Sequence, residues 1–162
     1  INWLTSYSLY TDRLSDWLDE HVASDFKELR HSAMRILQEE AELDEIVKLV
    51  GVDALSDRDR LTLETAKMLR EDYLHQNAFH EIDTYASLQK QHMMLKTMLD
   101  FYDKGNKALE NGATADKIEQ LPIEERIGRM KYVAEDKMKA EFEETEKLIE
   151  SEMQALTMKE AE

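Results

Sequence analysis

Residues 26–51 read FKELRHSAMRILQEEAELDEIVKLVG, and their apolar positions decide the fold class. Apolar side chains recur three or four residues apart, a spacing that places them on one face of an α-helix. Glu40 interrupts this face, so the stretch is either one helix or two helices bent near residues 39–40. Gly51 is expected to end it, because glycine readily adopts the backbone conformation that follows a helix. The apolar positions are Phe26, Leu29, Ala33, Ile36, Leu43, Val47 and Val50.

Segments on both sides of this stretch show the same helical spacing. Ser56 followed by Asp59 resembles a capping box and marks the start of a second long helix. Pro122 suits the first turn of a later helix, and the Glu-, Lys- and Ala-rich residues from Glu135 onward predict a long, exposed helix. The predicted helices cover residues 12–21, 26–50, 57–76, 85–110, 117–121, 122–130 and 135 onward, with a turn over 52–59 and a loop over 77–84.

The composition agrees with an all-α fold. A chain of 162 residues suffices for one domain. It contains only four glycines and one proline, whereas all-β folds need turn residues about every 8–12 positions. We therefore expect a helical bundle with a long C-terminal helix, in which residues 1–132 form the helical domain and residues 133–162 form a long charged helix of the same domain.

Charge and missing residue types exclude several function classes. The 21 basic and 36 acidic residues give a net charge of −15, which argues against nucleic acid as a partner, because phosphate contacts need clustered Lys and Arg. No stretch approaches the roughly 18 consecutive apolar residues that a membrane span needs. The absence of cysteine excludes disulfides and thiolate metal sites, and it agrees with a cytosolic protein. No secretion signal opens the chain, which begins at Ile1 and is interpreted as a piece of a longer protein.

Motifs that would carry chemistry within this chain are missing or point the wrong way. Its glycines stand at positions 51, 105, 112 and 128, so neither a phosphate-binding G-x-x-x-x-G-K-[ST] loop nor a G-x-G-x-x-G motif is present. A di-iron bundle would use E-x-x-H pairs that point inward. Glu28 and His31 fit that spacing, and Asp72 with His75 nearly fits, but the apolar register turns Glu28, His31 and His75 toward solvent. His92 lies on an apolar stripe and is interpreted as a core histidine with a hydrogen bond. The acidic residues Glu39, Glu40, Glu42, Asp44 and Glu45 are expected to form a solvated face.

Two polar segments remain open to more than one interpretation. The turn over residues 53–59 can be a helix cap or a projecting contact for a partner, since exposed loops often carry function. The segment Gln76, Asn77, Ala78, Phe79 can pack down as a lid. Alternatively, it can offer a flat aromatic face with amides beside it, which suits a planar heterocycle; stacking of a base on an aromatic ring contributes about 1–3 kcal/mol.

At these two segments the sequence resembles the C-terminal part of the catalytic A subunit (alpha chain) of V-type and A-type rotary ATPases. The resemblance runs from residue 1 to about residue 132 and includes INWLTSYS at 1–8, ILQEE at 36–40, EIVKLVG at 45–51 and QNAF at 76–79. The turn DALSDRD at 53–59 is similar to the acidic turn of the related F-type β subunit.

This resemblance implies a helical domain of an ion-translocating ATPase or ATP synthase that binds ATP or ADP with Mg²⁺ in the full-length subunit. The fragment itself lacks the phosphate loop and is expected to be inactive and to hold no cofactor. The implied partners are the B subunits of an alternating A/B hexamer and the central rotor stalk, in a cytoplasmic head that is peripheral to the membrane. The implied adenine-side wall is Phe79, Ala78, Gln76 and Asn77. The implied rotor contact is Asp53, Ala54, Leu55, Ser56, Asp57, Arg58 and Asp59.

A single predicted helix joins the two implied sites. It starts at the turn and ends beside Phe79, and 20 residues at about 1.5 Å each make it about 30 Å long. Arg58 and Arg60 alternate with Asp57 and Asp59, which predicts a tip closer to neutral than the F-type turn and a steric contact through Leu55. The alternative function is an acidic helical adaptor that binds a partner through its long C-terminal helix.

Overall fold

A computed structural model describes residues 2, 4, 5 and 10–158, and these residues form the predicted all-α fold. No β-strand occurs among them. The expectation of an entry segment over residues 1–10 falls mostly outside the described residues. The α-helices are α1 (Thr11–His21), α2 (Phe26–Val50), α3 (Asp57–Met68), α4 (Leu88–Glu110), α5 (Ala115–Glu119), α6 (Ile123–Gly128) and α7 (Met138–Met158). Short 3-10 helices lie at Val52–Ala54, Met130–Tyr132 and Glu135–Lys137, and a π-helical segment lies at Leu69–Leu74.

Residues 26–50, whose apolar spacing predicted the fold class, form one uninterrupted helix, α2, rather than two. The acidic run was expected to lie wholly in solvent, and this is wrong for Glu40, which is only 9% exposed. Arg70 of the π-helical segment places its Nε 2.8 Å from Glu40 Oε1. Because Glu40 occupies a position on the apolar face of α2, it enters the edge of the core, and the neighbouring guanidinium offsets the cost of burying its charge.

The C-terminal turn of α2 extends beyond the core. Val50 was predicted on the buried face but is exposed, while Leu43 and Val47 are half-buried. Gly51 ends the helix as predicted, with φ 84° and ψ 166°. This backbone region is essentially restricted to glycine, so Gly51 fixes the direction in which the chain leaves α2.

The second long helix begins where its cap predicts. Ser56 Oγ accepts a hydrogen bond from the Asp59 N–H at 3.2 Å. The chain then runs through α3 directly into the π-helical segment, so that residues 57–74 form one continuous rod that ends two residues before the predicted boundary. Its buried residues are Leu61, Thr62, Thr65, Ala66, Met68 and Leu69.

The longest buried face belongs to α4, against which the rod packs closely. α4 begins at Leu88 rather than at residue 85, because Ser87 caps it by accepting from the Lys90 N–H at 3.1 Å. A Cβ atom built on Gly105 would lie 2.8 Å from Leu61 Cδ2. The missing side chain of Gly105 therefore lets α3 and α4 approach each other.

The C-terminal helix α7 is not the exposed helix that its composition predicts. Its apolar stripe is predicted correctly, but Met138, Ile149 and Met153 are buried in the bundle. Arg126 of α6 holds it from the side, with Nε 2.8 Å and Nη2 3.1 Å from the two carboxylate oxygens of Glu141. Among the described residues, no helix is both long enough and apolar enough to cross a membrane.

Candidate functional site

Residues 75–87, called here the Phe79 loop, present an aromatic ring to solvent. Phe79 is 99% exposed, so the alternative that it packs down as a lid is wrong. The Phe79 N–H donates to Asn77 Oδ1 at 3.0 Å, and the Asn77 N–H donates to Asp83 Oδ2 at 2.6 Å. Asp83 is buried. The turn that carries the ring is therefore tied to a carboxylate beneath it.

His80 holds the other side of the same turn. Its Nδ1 accepts hydrogen bonds from the Ile82 N–H at 3.2 Å and the Asp83 N–H at 3.3 Å. Two N–H donors require an unprotonated Nδ1, so this geometry assigns the neutral tautomer with its proton on Nε2. The His80 ring lies against Tyr132, with 4.4 Å between ring centroids. The loop is thus positioned by its own side chains and by a residue distant in sequence.

The predicted adenine-side residues lie together in this loop. Gln76, Asn77 and Ala78 are all exposed, as Phe79 is. Because Asn77 Oδ1 accepts from the Phe79 N–H, the amide nitrogen is the group that Asn77 can offer to a ligand. An exposed flat ring with the Asn77 amide close to it can pack on the face of a purine and reach its polar edge.

A cavity of about 560 Å³ lies beneath the Phe79 loop. Gln76, Asp83 and Ala86 form part of its wall on the loop side, and apolar residues of α1, α2 and α4 form much of the remainder. Close packing normally fixes a loop against its bundle, and over this cavity such packing is reduced. Polar contacts therefore carry more of the task of positioning the loop.

The predicted rotor-contact residues lie at the opposite end of the rod, at the tip (residues 53–59). Asp53 and Ala54 are exposed in a 3-10 helix, and Asp57 and Arg58 are exposed in the first turn of α3. Leu55 and Asp59 are half-buried, and Ser56 is the exposed N-cap of α3. The structure therefore brings these seven residues together at one corner of the bundle.

The charge of the tip differs from the prediction because Arg60 turns away from it. The Arg60 guanidinium lies 2.5 Å from Asp116 Oδ1 and 3.1 Å from Glu119 Oε2, both on α5. The hydrogen bond to Asp116, together with the charges of Glu119 and Asp116, raises the pKa of Arg60. The expectation that two arginines bring the tip close to neutral is therefore wrong for Arg60, and Arg58 is the remaining arginine in this stretch.

An apolar surface adjoins the tip, and sequence reasoning missed it. Leu49 is 84% exposed, and Ile46 and Val50, on the same side of α2, are also exposed; these three residues are called the apolar tip patch. Large exposed apolar side chains that lie together mark contact surfaces. The sequence signal was the apolar run before Gly51, which continues past the point where α2 leaves the core.

The candidate metal ligands lie where their register predicts. Glu28, His31 and His75 are exposed, so they do not point into the bundle, whereas Asp72 is half-buried beside Gly128 of α6. His92 is largely buried and its Nε2 lies 2.7 Å from Asp25 Oδ1, which agrees with a core histidine that has a hydrogen-bond partner. Among the described residues, no group of three potential ligands converges on a metal-sized site.

A comparison with protein families decides the family to which the chain belongs. A family model described as the C-terminal domain of V and A type ATP synthase matches residues 15–119. The chain belongs to this family. The matched residues of this V and A type ATP synthase domain include the tip, the rod and the Phe79 loop.

Individual relatives extend the likeness to the remainder of this ATP synthase domain. The V-type ATP synthase alpha chain of Acetivibrio thermocellus is 58% identical over 160 residues, which are 99% of this chain and 27% of that protein. The corresponding alpha chain of Thermoanaerobacter pseudethanolicus is 58% identical over 156 residues, or 96% of this chain and 26% of the relative. That of Clostridium botulinum (strain Okra) is 60% identical over 136 residues, or 84% and 23%. The chain therefore spans about a quarter of the length of these curated relatives.

Proposed function

We propose that this chain is the C-terminal helical part of the catalytic A subunit of a V/A-type ion-translocating rotary ATPase or ATP synthase. In this proposal the Phe79 loop supplies part of the wall against which adenine packs. The tip, together with the apolar tip patch, is the part of a lever that contacts the central rotor stalk. Residues 1–132 and 133–162 act as one helical domain.

The observation that carries the proposal is the continuous rod between two exposed ends. Residues 57–74 begin in the tip and end directly before the Phe79 loop. The rod is buried along α4, where Leu61 packs into the space left by Gly105. A close-packed helix transmits displacement with little deformation, so movement at one end would reach the other.

In this proposal, the nucleotide contacts this chain through its base. ATP supplies the phosphoanhydride bond whose hydrolysis or synthesis drives the subunit, and this chain contains no phosphate-binding loop for it. The phosphates and Mg²⁺ are therefore held by the part of the subunit outside this chain, and the fragment alone hydrolyses no ATP. Phe79 offers its exposed face to the base, and Gln76 and Asn77, the exposed amide residues that precede it in the chain, can offer hydrogen bonds to the base edge.

Coupling requires contacts that differ between the open and closed states of the subunit. Stacking of Phe79 on the base in the closed state draws the loop inward, and the rod carries this displacement to the tip. The apolar tip patch favours contact through shape and apolar surface, since Leu49 projects further into solvent than the half-buried Leu55. The tip then pushes the rotor stalk by steric contact, and its charges contribute less.

The assembly partners follow from the same proposal. They are the B subunits of the A/B hexamer and the subunits of the central stalk, within a cytoplasmic head attached peripherally to the membrane. The alternative of an adaptor that binds through its long helix receives no support from α7, because Met138, Ile149 and Met153 are already buried within the bundle.

Substitution of Phe79 tests the adenine contact in the assembled ATPase. Phe79→Ala removes the stacking surface, worth about 1–3 kcal/mol, so the KM for ATP should rise about 5- to 150-fold. Folding should be unaffected, because the ring is fully exposed. Tyr85→Ala is the matched control, since Tyr85 is an exposed aromatic residue of the same loop. An unchanged KM in Phe79→Ala, or an equal rise in the control, would contradict the proposed contact.

A further inference from the structure

A lysine that sequence reasoning did not single out lies buried near the Phe79 loop. Lys90, in the first turn of α4, has 0% of its surface exposed. Lysines are rarely buried to this extent, because an ammonium loses its hydration and must regain partners within the protein. Burial lowers the pKa of Lys90, and the nearby carboxylates of Glu135 and Asp83 oppose that shift.

The Lys90 ammonium is directed at one short segment of backbone. Its Nζ donates to the carbonyl oxygens of Lys131 and Val133, each at 2.8 Å. Residues 130–135 are called here the clamp segment. Glu135 at its end accepts from the Ser87 N–H at 3.0 Å and from Ser87 Oγ at 2.7 Å. The clamp segment is therefore fastened to the start of α4 at two places.

Tyr132 connects the clamp segment to the Phe79 loop. Tyr132 lies between Lys131 and Val133 in the chain, and its ring packs against His80. His80 follows Phe79 directly and holds the turn through the two N–H groups that its Nδ1 accepts. A displacement of the clamp segment would therefore reach the turn that carries Phe79 through a single ring contact.

We propose that Lys90 is a positioning residue for nucleotide binding, because it holds the clamp segment so that Tyr132 supports His80 and His80 sets the orientation of Phe79. This inference rests on the proposed function, since it assumes that Phe79 stacks on the base. The cavity beneath the loop explains the need for such a residue. Where packed side chains do not fill the space below, polar contacts and the Tyr132 ring fix the height and angle of the loop.

A double-substitution cycle in the assembled full-length enzyme tests the role of Lys90. Lys90→Met keeps the length of the side chain and removes its hydrogen-bond donors. The KM for ATP should rise about 3- to 10-fold, which is a part of the loss expected from Phe79→Ala, and kcat should change less than KM. Lys139→Met, at an exposed lysine in the first turn of α7, is the control and should change neither parameter.

The decisive comparison is between Phe79→Ala alone and Phe79→Ala combined with Lys90→Met. If Lys90 acts through Phe79, the double variant should have the same KM as Phe79→Ala, because residues that act in series are not additive. A fully additive rise would overturn the proposal, and so would an unchanged KM in Lys90→Met when Phe79→Ala raises it. An unchanged KM in Phe79→Ala would instead refute the proposed function on which the inference rests.

A second variant keeps the test decisive if Lys90→Met fails to assemble. Tyr132→Leu retains an apolar side chain at a partly exposed position but removes the ring that contacts His80. It should raise KM to a similar extent and should also be silent in a Phe79→Ala background. A rise that persists unchanged in that background would overturn the proposed path through His80.

Discussion

The two exposed ends of the rod are built in different ways. At the tip, neighbours in sequence define the backbone: Gly51 turns the chain out of α2, and Ser56 caps α3. At the Phe79 loop, local hydrogen bonds of Asn77, His80 and Asp83 shape the turn, and Tyr132, which is distant in sequence, packs against it. The comparison teaches that the tip is a local structure on a rigid support, whereas the loop depends on the tertiary structure around it.

Substitution of Asp83 is expected to have the largest effect on stability, and this effect should be confined to the Phe79 loop. Asp83→Ala removes the acceptor of the Asn77 N–H at a buried position, which should cost about 2–3 kcal/mol of local stability. Amide hydrogen exchange of residues 77–84 should accelerate, whereas exchange at the tip should stay unchanged. Asp83→Asn, which retains an oxygen acceptor, should show a smaller acceleration. Equal protection of the loop amides from exchange in wild type and in Asp83→Ala would show that the hydrogen bond between Asn77 and Asp83 does not hold the loop.

A somewhat smaller effect is expected at the tip from Gly51→Ala. A Cβ atom on Gly51 would meet no atom within 4 Å, so the cost is the backbone conformation alone, about 1–2 kcal/mol. Urea unfolding should report this loss, and in the assembled enzyme the coupling of ATP hydrolysis to rotation should fall while the KM for ATP is retained.

Gly112→Ala provides the matched control for Gly51→Ala. Gly112 also has a positive φ, 97°, but it belongs to the turn between α4 and α5 and not to residues 53–59. It should lose stability without losing coupling. The proposal assigns base binding to the Phe79 loop and rotor contact to the tip. If Gly51→Ala raised the KM for ATP as Phe79→Ala does, this assignment would be wrong.

The same contrast explains how much of the molecule the sequence could predict. The helices were predicted to within a few residues, and the two boundaries at Gly51 and Ser56 were predicted correctly, because both follow from local rules. The π-helical end of the rod has no comparable local signal. The burial of α7 was missed because its thin apolar stripe gave no indication of how closely α4 and α6 would enclose it.

The residues of the candidate site also fall into two groups, those that the sequence indicates locally and those that only the tertiary structure reveals. The position of the Phe79 loop follows from the break in helical spacing after residue 76, and its assignment to the base came from a resemblance rather than from periodicity. Lys90 could not be identified, because its partners lie 41 and 43 residues away and accept through backbone carbonyls. Of the apolar tip patch, only Val50 was predicted on the buried face of α2, because it continues the helical spacing; the exposed residues beside it were given no role.

The central claim is that one rigid rod links the base-stacking loop to the rotor-contacting tip. The chain contains no cysteine, so spin labels at Ala54→Cys and His75→Cys, both at exposed positions outside the proposed adenine wall, can mark the two ends in an assembled enzyme freed of other reactive cysteines. The distance distribution between them should be the same with and without bound nucleotide, while the distance from Ala54→Cys to a label on a neighbouring B subunit changes. A label separation that changes on nucleotide binding, or a tip that does not move relative to the B subunit, would contradict the account.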